Sequence, residues 1–190
     1  MSGLINGLMS LYCKIFAAIE NATDGWLVGF TARFAFASVL LVFFINSALT
    51  KVGSGPLGIF SPSVGAYAQI LPEMMKSVGF NVSKIAFIPY GLIVLLGTWA
   101  EFILPVLIVI GLFTRAASLA MIGFIVVMSY VDITGHAVSA KTIGAPFDGL
   151  PTGLIADQRL LWIFLLLVLV VKGAGALSLD ALLCRSKKAE

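Results

Sequence analysis

Apolar residues run along this chain in four long blocks, separated by stretches where glycine, proline and charged residues gather. A helix needs about 20 apolar residues to cross the hydrocarbon core of a bilayer, and the blocks reach or approach that length. The first runs from about Trp26 to Leu49, the second from about Ile85 to Phe113, and the third from about Ala116 to Val131. The fourth runs from about Leu160 to Val171 and extends at both ends, to about 158–173. The pattern predicts an all-α integral membrane protein, a bundle of four transmembrane helices, since a spanning helix satisfies its own backbone in lipid.

Ahead of the first block, Leu4, Leu8, Leu11, Ile15 and Ile19 recur every three or four residues. This spacing predicts an amphipathic helix within residues 1–25, lying in the membrane interface; the alternative is a stub packed on the bundle. The connection Val52 to Lys84 opens on Gly53-Ser54-Gly55-Pro56 and turns again at Ser61-Pro62. From Val64 to Val78 it is weakly helical and broken by Pro72, as expected of a short interfacial or re-entrant helix. Its Met74-Met75 pair reads as apolar packing, because a soft-metal site needs more converging thioethers.

Blocks two and three are joined almost without a loop at Gly111-Leu112-Phe113-Thr114-Arg115, which predicts a tight antiparallel hairpin. Gly111 would end one helix, Thr114 cap the next, and Arg115 reach to headgroups. The connection Asp132 to Asp157 is polar and rich in turn residues, and holds the single histidine, His136. After block four, Gly173-Ala174-Gly175 stops the helix. Ser178 then caps a short amphipathic tail helix with Asp180 in its first turn and Arg185, Lys187 and Lys188 near its end. The domain division is 1–25, a four-helix domain over 26–184, and a basic tail over 185–190.

Composition supports the bilayer. Of 190 residues, 60% are hydrophobic and 11% charged, and the mean hydropathy is +1.08. Soluble domains carry about 25% charged residues; twelve bases and nine acids suffice only for the two polar ends of a bundle with a lipid-facing belt. The net charge of +3 forms no basic face with interleaved aromatics, so nucleic acid is excluded as a partner. Cys13 and Cys184 form no CxxC motif and read as unpaired structural residues. No basic n-region precedes an apolar core, so no cleaved signal peptide is expected. Four spans place both termini and the Thr114-Arg115 turn on one face with Lys14, Arg115, Lys172, Arg185, Lys187 and Lys188. The other face has Lys51, Lys76, Lys84, Lys141 and Arg159, and the dense basic tail favours cytoplasmic termini.

Arg33 and Glu101 fall inside the blocks, where an ionised side chain costs at least about 2.5 kcal/mol. Arg33 lies seven residues past Trp26, about 10 Å in from the terminal face. Glu101, twelve residues before Phe113 on the returning helix, lies about 18 Å from that face. A long arginine side chain spans much of the difference, so a buried Arg33–Glu101 pair is expected. Pro105 gives no hydrogen bond to the carbonyl of Glu101, which predicts a kink and a free carbonyl at this level. Trp99 and Thr98 add polar reach, and Asn46 and Lys51 lie toward the opposite end of the first block. The pair either neutralises itself and fixes register, or forms the polar end of an intramembrane site for a quinone, proton or small solute.

Asp132, His136, Asp148 and Asp157 form a second group, in the connection after block three. Asp132 and His136 are weak candidates for a metal or proton relay, but the spacing is that of a solvated loop with Asp157 capping the next helix. With no Ser/His/Asp order, no phosphate loop and one histidine, the chain does not read as a self-contained enzyme, and no metal is assigned.

Arg33, Trp99-Ala100-Glu101 with Pro105, the Gly111–Arg115 hairpin, Asp157-Gln158-Arg159-Leu160-Leu161-Trp162 and Gly173-Ala174-Gly175-Ala176-Leu177-Ser178-Leu179-Asp180 together resemble the DoxX family, over about residues 26 to 184. The resemblance implies a bacterial four-helix inner-membrane protein, loosely linked to membrane redox chemistry such as sulfur-compound oxidation coupled to quinone. The chain departs from small members in its N-terminal segment and two long connections, which would be docking surfaces for membrane or periplasmic partner subunits. The leading expectation is an accessory subunit of a redox-linked membrane assembly, with quinone as the candidate cofactor and a polar core of Arg33, Glu101, Trp99, Asn46 and Lys51. The alternatives are a small-solute or proton carrier, and a purely structural scaffold.

Overall fold

A computed structural model of the chain describes residues 2–186. Helix α1 is Ser2–Thr23, and α2 is the first long apolar helix, Leu27–Lys51. Two short helices follow, α3 (Val64–Ile70) and α4 (Pro72–Ser77). Then come the α5–α6 hairpin, Phe87–Ile110 and Thr114–Thr134, and a single turn, α7 (Ala140–Ile143). The last two are α8 (Leu154–Lys172) and α9 (Leu179–Ser186). Among the described residues, α2, α5, α6 and α8 are the four helices long and apolar enough to cross a membrane. The third is longer than its sequence block, because Thr114 and Arg115 belong to its first turn and Tyr130–Thr134 to its last. The fourth begins earlier, at Leu154, in a wide π turn that includes Asp157. Arg185 closes α9, while Lys187 and Lys188 lie outside the described residues.

The four long helices form a ring in which each touches two neighbours: α2 packs on α5 and α8, and α6 on the same two. Their outward faces carry exposed Phe34, Val39, Val42, Leu161, Phe164 and Val171, a belt that lipid would cover at no hydrophobic cost. The core joins Phe36, Leu40 and Phe44 of α2, Ile108 of α5, Met121 and Ile125 of α6, and Leu166 and Leu169 of α8. Along α2 the buried residues Phe36, Leu40, Phe44 and Ala48 recur every four positions. Four residues overshoot one α-helical turn by roughly 40°, and the wide π turn Ala37–Leu41 unwinds the helix enough to hold this stripe on one face.

One end of the bundle, here the hairpin end, is tightly locked. Gly111 ends α5 at φ +73°, in the left-handed region open to glycine. Asp180, from α9, accepts hydrogen bonds from the amides of Phe113 (2.7 Å) and Thr114 (2.9 Å). A carboxylate thus caps the start of α6, where unpaired N–H groups favour negative charge. Thr114 does not serve as that cap: it lies inside the helix, buried, with its hydroxyl unpaired. Ser178 caps α9 as expected, its Oγ accepting from Ala181 at 3.1 Å. Gly29 of α2 lies against the Ala174–Gly175 backbone, and a Cβ there would fall 2.6 Å from it. The Gly-Ala-Gly stop is therefore a backbone-to-backbone contact with the start of α2.

The other end, the loop end, carries both long connections. In the first, Val52 pairs with Pro62, and the chain between them lies alongside α5, where the Trp99 indole donates to the Ile59 carbonyl at 2.8 Å. Helices α3 and α4, divided at Pro72 as the sequence predicts, close over α5 with a cluster of Ala66, Tyr67, Met75 and Val94. Met75 is an apolar member of that cluster. Helix α1 behaves differently: residues 4–22 are exposed throughout, so α1 does not pack on the bundle.

Candidate functional site

Ionisable side chains inside the bundle find partners by the direction in which helices present them. A helical side chain leans toward its own N-terminus. On α2 this is the hairpin end, so Arg33 reaches down and out of the bundle rather than toward Glu101. Its guanidinium donates to the carbonyls of Ala174 (3.1 Å), Val109 (2.9 Å) and Leu177. The expected Arg33–Glu101 pair does not form. On the antiparallel α5 the lean is reversed, so Glu101 rises toward the loop end while Lys51 descends to meet it. Their charged atoms stand 2.9 Å apart, and both residues are buried. The Lys51 ammonium also donates to the Ser47 hydroxyl (2.8 Å) and carbonyl (3.3 Å), so its three N–H groups are all engaged.

A second ion pair lies at the same end. Arg159, directly after the wide turn that opens α8, donates to Asp132 (2.5 Å) and to the Ser129 hydroxyl (2.9 Å), both on the last turns of α6. Arg159 is 4% exposed, and its Nε–H is buried without a partner. Such an orphan donor costs about 1–3 kcal/mol.

Between the pairs is a cavity of about 640 Å³. Its back wall is α2, with Phe43, Ser47 and Lys51; its sides are α5 and α6. Glu101, Asp132, His136 and Arg159 line its loop end, while Leu104, Phe124 and Met128 are among its apolar lining. His136 donates from Nε2 to the Gln69 carbonyl at 3.0 Å, and Lys76 donates to the Gly135 carbonyl at 3.2 Å. These bonds draw α3 and α4 over the cavity. The shape suits a molecule with an apolar body and a polar head, held by pre-paired charges that need no further counter-ion.

Of the residues read from sequence as a polar core, Lys51 and Glu101 come together in this cavity. Arg33 serves the hairpin end. Trp99 turns away, toward Ile59 and Phe60, because it lies on the face of α5 that meets the first connection. Asn46 is exposed on the outer side of α2 and does not line the cavity. Pro105 is buried within a helix that runs through it, from Leu92 to Ile110; the interruption of α5 is at Ile88, where the backbone is non-helical. Among the described residues, no three His, Cys, Asp or Glu side chains converge. Asp132 is committed to Arg159, and His136 to a carbonyl. Asp157 is not the residue that opens α8, which begins three residues earlier at Leu154; from inside that first turn its carboxylate accepts from the Gly153 amide at 2.7 Å. Cys13 and Cys184 are both free and exposed.

Arg159 is the site residue sequence reasoning missed, having placed it among the charges of one face and in the run Asp157–Trp162 but not in the polar core. The available signal was positional: Asp132 ends one apolar block and Arg159 opens the next, so an antiparallel arrangement puts them level. Compared with protein-family models, with curated proteins and with solved structures, the chain matches none.

Proposed function

We propose that this chain is a multi-pass membrane protein that holds a quinone-type molecule in the loop-end cavity and acts as an accessory subunit of a redox-linked assembly. The observation that carries this reading is an apolar cavity bounded at one end by two ion pairs, the buried Lys51–Glu101 and the partly buried Arg159–Asp132. Ring-shaped, membrane-soluble carriers need such a site: apolar walls for the ring and tail, and a few fixed polar groups for the head. The resemblance to the DoxX family supports the redox context and a bacterial inner membrane. The basic residues Lys14, Arg115 and Lys172 at the hairpin end support cytoplasmic termini. Helix α1, exposed along its whole apolar stripe, fits a place in the interface, and the two long connections offer a surface for a partner subunit.

Purification in mild detergent followed by lipid extraction tests the reading. A stoichiometric quinone, lost on Glu101→Leu substitution, is the expected result. A second reading, a proton or small-solute carrier, draws on the exposed His136 beside two ion pairs in one cavity. Absence of quinone, together with solute uptake by vesicles that disappears in Glu101→Gln, would replace the first reading with the second.

A further inference from the structure

The cavity at the loop end is closed above and open at its side. The bonds from His136 to Gln69 and from Lys76 to Gly135 tie the end of α6 to α3 and α4. At the side, the lining residues Ile93, Leu96 and Val127 are 47%, 52% and 62% exposed. A Cβ added at Gly123, which lines the cavity from α6, would meet nothing within 4 Å. Near the hairpin the two helices are packed through Ile108, Ala117 and Met121. Away from the hairpin the cavity thus opens to the outer surface along α5 and α6, where a lipid belt would cover it.

The polar groups differ in what they have left to offer. Lys51 has used its three N–H groups. The Arg159 guanidinium has five N–H groups, of which two are engaged, one by Ser129 and one by Asp132. Its Nε–H is buried and unpartnered, and the residue lines the cavity. Its charge is already balanced by Asp132, so a further negative group would be left in surplus in a low-dielectric setting.

We propose that Arg159 recognises the head of the bound molecule, that this head is an uncharged oxygen acceptor such as a carbonyl, and that the molecule enters sideways from the bilayer between α5 and α6. The proposal rests on the cavity being a ligand site, as argued above, but not on the ligand being a quinone.

The test uses the full chain in phosphatidylcholine nanodiscs and a long-chain ketone carrying a photoactivatable diazirine, with the label mapped by mass spectrometry. Saturable labelling is expected within residues 93–104 and 120–131. Arg159→Lys, which keeps the charge but loses the planar set of donors, lowers apparent affinity about tenfold, the loss of one well-placed hydrogen bond. Gly123→Trp abolishes labelling by filling the opening, and Leu119→Trp, on the exposed face of the same helix, leaves it intact. Melting curves in detergent confirm that each variant folds. Should Arg159→Lys not fold, Asp132→Asn reads the same contact: with Arg159 no longer balanced, the matching fatty-acid probe gains over the ketone. Equal labelling of Arg159→Lys and the unsubstituted protein, labelling that survives Gly123→Trp, or a preference of the unsubstituted protein for the fatty acid overturns the proposal. Competition by a short-tailed benzoquinone supports the quinone reading as well, whereas labelling that follows Arg159 but ignores benzoquinone supports this proposal and sinks only that reading.

Discussion

The Lys51 ammonium lies 2.9 Å from the Glu101 carboxylate, fifty residues away in sequence, with both side chains almost fully removed from solvent. The two meet because antiparallel helices lean their side chains toward each other from opposite ends. Removing one partner leaves a buried charge alone, at a cost of about 3–5 kcal/mol, whereas replacing both by apolar groups is close to neutral. Lys51→Met and Glu101→Leu are each expected to lower the melting temperature in detergent sharply, and the double variant to recover most of the loss. A double variant as unstable as the sum of the singles would show that the pair is not coupled.

The carboxylate of Asp180 bridges α9 to the first turn of α6, so its loss removes a cap and a tether together. Asp180→Ala is expected to cost about 1–2 kcal/mol, at the upper end for helix caps. Asp148→Ala is the contrast. It removes a bond to the Leu150 amide in an exposed loop and is expected to change stability by less than about 0.5 kcal/mol. Unfolding midpoints of the two variants, measured side by side, decide the point.

Two glycines within the apolar blocks should respond in opposite ways. Gly29→Ala drives a methyl group into the Ala174–Gly175 backbone, which cannot yield as a side chain does, and overpacking of this kind costs about 1–3 kcal/mol. Gly123→Ala places the methyl in open space and is expected to be neutral or slightly stabilising, since alanine favours the helix by up to about 1 kcal/mol. Thermal scans in one detergent would reverse this ranking only if the two packing environments are wrongly described.

Removing residues 1–23 takes away a helix whose residues 4–22 touch solvent throughout. The four-helix body is expected to keep its melting temperature, within the roughly 0.5 kcal/mol typical of surface changes. A large fall would mean that α1 packs on the bundle.

The helical body was readable from sequence because its signal is composition over about 20 residues, and lipid accepts any apolar face. The tight hairpin after Gly111, the break at Pro72 and the cap at Ser178 were readable for a related reason, since each is set by residues close in the chain. The site was readable only in its members. Lys51 and Glu101 stood out as charges in or near apolar runs, but a depth estimate made along the axes paired Glu101 with Arg33. Depth measured at Cα omits the lean of the side chain, which moves a long residue by most of a helical turn and in opposite senses on antiparallel helices. Asn46 and Trp99 failed for another reason: polarity in a sequence does not say which face of a helix a residue occupies. That was decided here by the first connection, which drew Trp99 outward to Ile59.

The wide turn at Ala37–Leu41 gives the length of α2 a meaning that its composition lacks. Most positions along a lipid-facing helix tolerate exchange among apolar residues, and the exposed stretch around Phe147 has room for residues to be added or lost. A single deletion between Ala37 and Leu41 would instead rotate everything beyond it by roughly 100°, carrying Lys51 from the cavity toward lipid while Arg33 stayed in place. The segment thus works as a phase setter between the two ends of the molecule, and its count of residues is under tighter constraint than their identity.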